Sequence, residues 1–351
     1  MALPSCRRCR SFITGTAFVI TICVFLYAYS ESSGQGEVNS IHHRVSLKQS
    51  SATDGAPDKS ENIISRKMTA IHLIEDPENL KNVNSTKLEP ENLIFYNKVG
   101  KCGSRTMVYL LRELARRNKF HATGDNMEPK MQRILPENEQ KEIVERVSSL
   151  PQPATFYRHI NFIDFERFGF ENPTYINIVR RPLSRQVSYY YFRRFGDGKN
   201  STKHFTRDTK YETFDDCVLR DRPECSTNNT FIIAQYFCGQ HPLCRVPSRW
   251  AVERAKENVI KYYYFVGLTE EYDDTLKLLQ LMLPRFFEGA FEMYKRGDST
   301  RNTTSVLKRT PSPRVVAIMN ERLALENEFY DFIRERFYQL KVKYNLTTTH
   351  K

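Results

Sequence analysis

The chain has 351 residues, 40% hydrophobic and 27% charged, enough for one large domain or two small ones and incompatible with a wholly disordered or fibrous protein. Fifty-three Lys and Arg against 41 Asp and Glu give a formal charge of +12. Residues 1–90 hold 10 basic and 9 acidic side chains, so the excess sits in 91–351 and points to polyanionic partners: nucleic acid, anionic lipid, nucleotide phosphate or acidic polysaccharide.

Arg7, Arg8 and Arg10 mark residues 1–10 as a cytoplasmic tail ahead of an almost uncharged stretch, 11–30, long enough to cross a bilayer. A cleaved signal peptide would have a shorter apolar core and a small-residue cleavage site. Here the apolar run continues into Tyr27 and Tyr29, which predicts a retained signal-anchor. The positive-inside rule then puts 31–351 on the lumenal side, and the short span suits a thin early-secretory or Golgi membrane. Nucleic acid drops out as a partner there. Residues 31–90, rich in Ser, Asn, Glu and Lys, read as a flexible stem. Sequons at Asn84, Asn200, Asn228, Asn302 and Asn345 all follow the span, whereas Pro173 disqualifies Asn172.

From Glu91 to residue 351 short β-branched and aromatic runs alternate with amphipathic segments, which predicts one α/β domain with a central, mostly parallel sheet flanked by helices. Leu93–Val99 reads as a buried strand, Gly100–Thr106 as a loop and Met107–Arg117 as a helix. Thr155–Ile160 and Thr174–Arg180 read as further strands. Pro182 is placed to open a helix through Ser188 and Tyr191. Arg249–Asn258 reads as helix, Tyr263–Leu268 as strand and Glu270–Leu283 as helix. Ser312 before Pro313 predicts the cap of one long helix reaching about Tyr344.

Cys6, Cys9 and Cys23 precede or lie in the span, and five cysteines follow it. Cys217, Cys225, Cys238 and Cys244 cluster, and in an oxidising lumen they read as two disulfides. Of the three connectivities, the local pairs Cys217–Cys225 and Cys238–Cys244 are favoured. A zinc site is the rival, but neither spacing is of the short Cys-x-x-Cys type, and no metal is expected. Cys102 is left over, with no histidine adjacent in sequence to activate it.

A strand, a glycine-flanked lysine loop with hydroxyls, then a helix is a geometry that offers backbone N–H groups and a helix N-terminus to phosphate. It is not a Walker A loop, because the second glycine upstream of Lys101 is missing. A tight turn with a surface lysine is the plainer alternative. Arg180 at the end of a second strand, with Ser188 two turns into the next helix, forms a candidate grip for a second phosphate. Lys98, Arg158, Arg193 and Arg194 are candidate contacts for the anionic groups of a polyanion, although a domain of this charge also carries such residues by chance. Tyr189 lies in one of two tyrosine triplets, 189–191 and 262–264, that could stack sugars but more often belong to a core.

Four blocks in order carry a resemblance to the uronyl 2-O-sulfotransferases, relatives of the heparan sulfate 2-O-sulfotransferases: Tyr96 to Thr106, Tyr175 to Arg180, Tyr190 to Asp197, and Tyr236 to Pro242. The likeness runs from about Asn92 to Tyr338. It implies a sulfotransferase fold with a P-loop-like phosphosulfate-binding loop, 3′-phosphoadenosine 5′-phosphosulfate (PAPS) as donor, and a type II Golgi topology with the sulfotransferase domain in the lumen. It also implies a glycosaminoglycan acceptor sulfated at the 2-hydroxyl of a uronic acid. The 5′-phosphosulfate loop falls on Lys101, Cys102, Gly103, Ser104, Arg105 and Thr106, and the 3′-phosphate grip on Arg180 and Ser188. Lys101 would stabilise the leaving phosphate, and His159 matches the catalytic histidine, a neutral base for a sugar hydroxyl. Tyr157 stands where the heparan enzymes have a second histidine, and Arg181 replaces an aspartate of the family's Arg-Asp-Pro. Relatives form trimers, which implies a homo-oligomer. A non-catalytic binder of sulfated polysaccharide and a lumenal kinase are the rivals, and the kinase would need a pair of carboxylates for Mg²⁺ beside the phosphate motifs, where there is none.

Overall fold

The computed structural model describes residues 92–124, 133–196, 205–297 and 308–346, all within the compact unit Leu80–Lys351. The expected tail, anchor and stem and the sequons at Asn84, Asn200 and Asn302 lie outside the described residues. Among the described residues no helix is long and apolar enough to cross a membrane.

Strands β1 (Leu93–Asn97), β2 (His121–Gly124), β3 (Ala154–Arg158), β4 (Thr174–Val179) and β5 (Tyr263–Leu268) form one sheet in the order β2-β3-β1-β4-β5. Every neighbouring pair is parallel, so the expected α/β class holds. Parallel strands need crossovers that put helices on both faces, so their residues are buried on either side and read as unbroken apolar runs. β1, β3 and β4 are buried at every position.

The longer helices are α1 (Ser104–Arg117), α2 (Glu137–Ser148), α3 (Pro182–Phe195), α4 (Arg249–Tyr262), α5 (Tyr272–Met282), α6 (Pro313–Arg322) and α7 (Ala324–Lys343). α1 buries Met107, Leu110, Leu111 and Leu114 on one face and carries Arg116 and Arg117 in its last turn, where the helix dipole favours cations. α3 begins at Pro182, whose fixed φ suits the first helical position and whose missing N–H costs nothing there. Its Val187, Tyr190 and Tyr191 pack with Phe214, Val218, Val315 and Met319 into a second apolar cluster beside the main core. Both predicted disulfides are present: Cys217–Cys225 inside that second cluster, with Cα atoms 6.2 Å apart, and Cys238–Cys244, at 5.6 Å.

Several expected boundaries move. β1 ends at Asn97 and β3 at Arg158, which leaves Lys98 and His159 in the connections just past their strands. β2, which begins at His121, was not expected; it is held by backbone pairing to β3 and not by an apolar run. The expected single C-terminal helix is two helices broken at Leu323, and the Ser312 side chain makes no capping bond. The Ser312 N–H donates instead to the Asp215 carboxylate at 3.0 Å.

Candidate active site

The central strand β1 is flanked by β3 and β4, and the connections leaving the carboxyl ends of all three converge there, the edge at which open α/β sheets receive ligands. A buried polar knot fixes these ends. Asn177 Nδ2 of β4 donates to the Asn97 main-chain oxygen (2.7 Å) and to Oδ1 (2.9 Å), Tyr263 Oη of β5 donates to the same Oδ1 (3.0 Å), and Asn97 Nδ2 donates to the Tyr236 carbonyl (3.1 Å). A buried polar network with its partners in place specifies one arrangement.

The loop above that knot turns through two left-handed residues, Lys101 at φ 69° and Gly103 at φ 75°. Gly103 is required twice over: by its φ, and because a Cβ there would lie 2.9 Å from the Tyr272 ring, whose hydroxyl donates to the Gly103 carbonyl at 3.3 Å. A lysine in the left-handed region costs about 1–2 kcal/mol of steric strain that glycine would avoid. The position therefore retains lysine for its side chain. Its Nζ stands 4.0 Å from the centre of the Phe192 ring, and the Arg105 guanidinium lies 5.8 Å from the same ring.

Around Lys101 the fold gathers cations. Arg180 Nη1 approaches the Lys101 carbonyl at 3.5 Å, and Arg185 Nε donates to the Gly100 carbonyl at 3.2 Å. Arg185, Ser188 and Phe192 fall three or four residues apart on α3, hence on one face, and Arg185 and Phe192 both touch the loop or its lysine. Partial burial first, then Arg105, Arg180, Lys308 and Arg185, lower the Lys101 ammonium to about 8. Among the described residues no carboxylate pairs with Lys101, Arg180 or Arg185. The acids in the neighbourhood have other partners: Glu270 accepts the Arg181 N–H (2.9 Å) and the Tyr330 hydroxyl (3.2 Å), and buried Glu326, which also feels Arg185, accepts the N–H groups of Ile233 and Ala234 (2.8 and 2.9 Å). Arg181 is exposed and lends no side-chain cap to α3. Such a gathering of cations, at the N-terminus of α1, is suited to a multiply charged anion.

His159 stands on the other flank of β1. Its Nδ1 lies 2.8 Å from the Lys98 carbonyl. A carbonyl only accepts, so Nδ1 carries the proton and Nε2 keeps its lone pair. Burial, the Lys98 ammonium and Arg133 hold the imidazole neutral, with its pKa lowered to about 4, against a smaller upward pull from the carbonyl bond. A neutral imidazole with a fixed tautomer is a proton acceptor at near-neutral pH.

Other expected residues fall differently. Ser104 is nearly buried, Thr106 and Ser188 are half-buried and Arg105 is exposed. Cys102 is fully buried with its thiol pushed up to about 12, chiefly by burial, which removes any case for it as a nucleophile. Lys98 and Arg158 are buried, with Lys98 Nζ 5.2 Å from the Tyr157 ring centre. Tyr189 is half-buried with Arg185 and Arg193 over its ring at 5.3 and 5.7 Å. Arg194, expected to meet the polymer, is instead buried completely: it stacks 3.5 Å from the Tyr190 ring and forms an ion pair with Glu224, near Glu212. Its full enclosure by acids and aromatics makes it a structural residue. Arg185, Lys308 and Arg133 join the site without having been singled out; only the fold brings them there. Among the described residues no group of three or more His, Cys, Asp or Glu side chains gathers as a metal site.

Fold and site together define an α/β protein with a cationic loop and a separate neutral histidine at the carboxyl edge of its sheet. The sequence pattern of the sulfotransferase family matches residues 84–333. Uronyl 2-sulfotransferases of Mus musculus and Homo sapiens are each 43% identical to the chain over 262 residues, covering 72% of it and 64% of their own length. Heparan sulfate 2-O-sulfotransferase 1 of Xenopus laevis is 36% identical over 251 residues, 70% of either chain. The chain belongs to the sulfotransferase family, in the group of the uronyl and heparan sulfate 2-O-sulfotransferases.

Proposed function

We propose that this chain transfers a sulfuryl group from PAPS to the 2-hydroxyl of a uronic acid in a glycosaminoglycan, held in the Golgi membrane by residues 11–30 with its folded domain in the lumen. The observation that carries the proposal is a loop lysine ringed by further cations and a neutral, tautomer-fixed histidine, held just past two adjacent strands. The names of the relatives support the acceptor class.

The cation cluster fits a donor with two phosphate groups. Lys101 to Thr106 would hold its 5′-phosphosulfate, and Arg180 with Ser188 its 3′-phosphate, with Arg185 and Lys308 adding charge. When bound, PAPS supplies an activated sulfuryl group and a leaving phosphate that gains negative charge on transfer. Lys101, desolvated and aimed by the Phe192 ring, strengthens its attraction as charge develops near it, so it favours the transition state over the ground state. His159 Nε2 takes the proton of the acceptor hydroxyl, and the Lys98 carbonyl holds the Nδ1–H throughout. The nearby ammonium of Lys98 and guanidinium of Arg133 suit an acidic sugar. A binder without catalysis has no use for a base fixed in this way.

The test compares wild type with His159→Ala on the same preparations, measuring secretion, nucleotide affinity and transfer to chondroitin, dermatan and heparan polymers with disaccharide analysis. Transfer is expected to fall by about 10²–10⁴-fold with nucleotide affinity unchanged, as for loss of a general base. Near wild-type transfer by a well-folded variant would end the assignment of His159. A wild-type product sulfated elsewhere than on the uronic acid would end the assigned acceptor.

A further inference from the structure

The disulfide loop Cys238–Cys244 and the first turn of α4 carry side chains that neither the core nor the phosphate site uses. Leu243, Val246 and Trp250 are exposed at 50%, 51% and 46%, within eight residues of one another. His241 packs its ring 5.3 Å from that of Trp250, and its Nδ1 accepts the Leu243 N–H at 3.2 Å, so the aromatic pair is set by the loop's own backbone. Arg245 and Arg249 flank the pair and are exposed. Among the described residues Arg245 has no carboxylate partner, and Arg249 meets only Glu328, at 3.6 Å, which Lys256 already engages at 2.7 Å.

Scattered exposed apolar residues are ordinary. Leu243 lies inside the loop closed by Cys238–Cys244, Val246 and Trp250 follow within six residues of it, and the loop is fastened to the acceptor side of the site. Gln240 Nε2 donates to the carbonyls of Asn161 (2.8 Å) and Arg133 (3.2 Å), and Asn161 Nδ2 donates to the Gly239 carbonyl (3.0 Å). Asn161 lies two residues beyond His159, and Arg133 is one of the cations that act on His159. A polymer with its reacting sugar at His159 extends beyond that sugar.

We propose that His241, Arg245, Arg249 and Trp250 form a second binding surface for the acidic polysaccharide, outside the reaction centre and continuous with its acceptor side. The proposal rests on the polymer acceptor inferred above. An indole face stacks on the C–H face of a sugar ring, and exposed guanidiniums take sulfate or carboxylate groups in two-pronged contacts. The disulfide holds the loop in place before binding, so little ordering entropy is lost.

Trp250 is the single tryptophan of the chain, so indole emission reports this surface alone. Titration of the wild-type protein with chondroitin, dermatan or heparan sulfate is expected to change the emission saturably, with reversal by about 1 M salt. An Arg245→Ala/Arg249→Ala variant is expected to raise KM for the polymer about 5–30-fold, from two exposed charge contacts of about 0.5–1 kcal/mol each, with KM and kcat on a short oligosaccharide and nucleotide affinity unchanged. Unchanged emission at saturating polymer, or an unchanged polymer KM in the double variant, overturns the second surface while leaving the transfer reaction standing. Saturable emission change in a protein that transfers no sulfate supports the surface and overturns the function proposed above.

Discussion

Two clusters of arginine and lysine on either side of α3 put the same residue types to opposite uses. Around Arg194 the guanidinium is enclosed by Glu224, Glu212 and the Tyr190 ring, and Glu212 in turn meets Arg222 at 3.1 Å and Arg220 at 3.6 Å. Around Lys101 the neighbours are Arg105, Arg180, Lys308 and Arg185, and the nearby carboxylates face backbone N–H groups. In the first cluster every arginine faces a glutamate, and the pairs hold α3 to the short helices that follow it. In the second, cations lie against cations and lower the Lys101 ammonium, an arrangement that favours a bound anion. Charge that is paired signals architecture, and charge that is partly buried among like charges signals a ligand.

The sharpest way to break this contrast is Lys101→Ala. Transfer is expected to fall about 10³-fold or more, since a preorganised charge at the leaving group is removed. Stability should hold or rise, because a desolvated ammonium among cations is lost with it, and Lys101→Gly should add about 1 kcal/mol by also relieving the left-handed backbone. Thermal unfolding and single-turnover transfer on the same preparations check both halves; a destabilised Lys101→Gly protein would contradict them.

Arg194→Ala should do the reverse. Leaving Glu212 and Glu224 without their buried partner is expected to cost about 3 kcal/mol of stability, read by urea unfolding, with nucleotide affinity unchanged in the folded fraction. A variant of normal stability that loses polymer binding would return Arg194 to the acceptor site.

The smallest expected effect is a proton linkage. In the free protein the Lys101 ammonium is lowered to about 8, and a bound polyanion raises it again. Above pH 8 nucleotide binding should therefore take up a proton, and affinity should fall by at most tenfold per pH unit. Calorimetry in buffers of different ionisation enthalpy reads this uptake directly. His159 carries the opposite window: with its pKa lowered to about 4, transfer should stay level from neutral pH down to about pH 5 and decline below.

How far the sequence carried each part follows from what holds that part. β1, β3, β4 and β5 were legible because strands of a buried parallel sheet are continuous apolar runs. β2 was not, since His121–Gly124 is a short edge strand held by main-chain bonds. α2 escaped notice because most of its twelve residues are polar and only Gln140, Ile143, Val144 and Val147 turn inward. The break at Leu323 has no glycine or proline to mark it. At the site, Lys101 and Arg180 were singled out from their motifs and His159 from the family resemblance. Arg185 and Lys308 lie outside any motif, and the tautomer of His159 depends on the Lys98 carbonyl, a main-chain group 61 residues away in the connection after β1. Arg194 was misjudged because a sequence gives the sign of a charge and not its enclosure.

Cys102 has a consequence for how the two disulfides survive. An odd thiol in a protein with disulfide bonds is a built-in agent of exchange, able to attack either bond and shuffle the pairing. Exchange runs through the thiolate, and with the Cys102 thiol pushed up to about 12 the thiolate is about one part in 10⁵ at pH 7. Its sulfur, fully buried beside the Gly100 carbonyl, is also beyond the reach of small oxidants and of other chains. Once the loop has closed over it, the covalent pairing of the domain is locked against its own remaining cysteine. That protection lasts as long as the fold does, and any variant that loosens the Gly100–Gly103 turn should first reveal itself as scrambled disulfides.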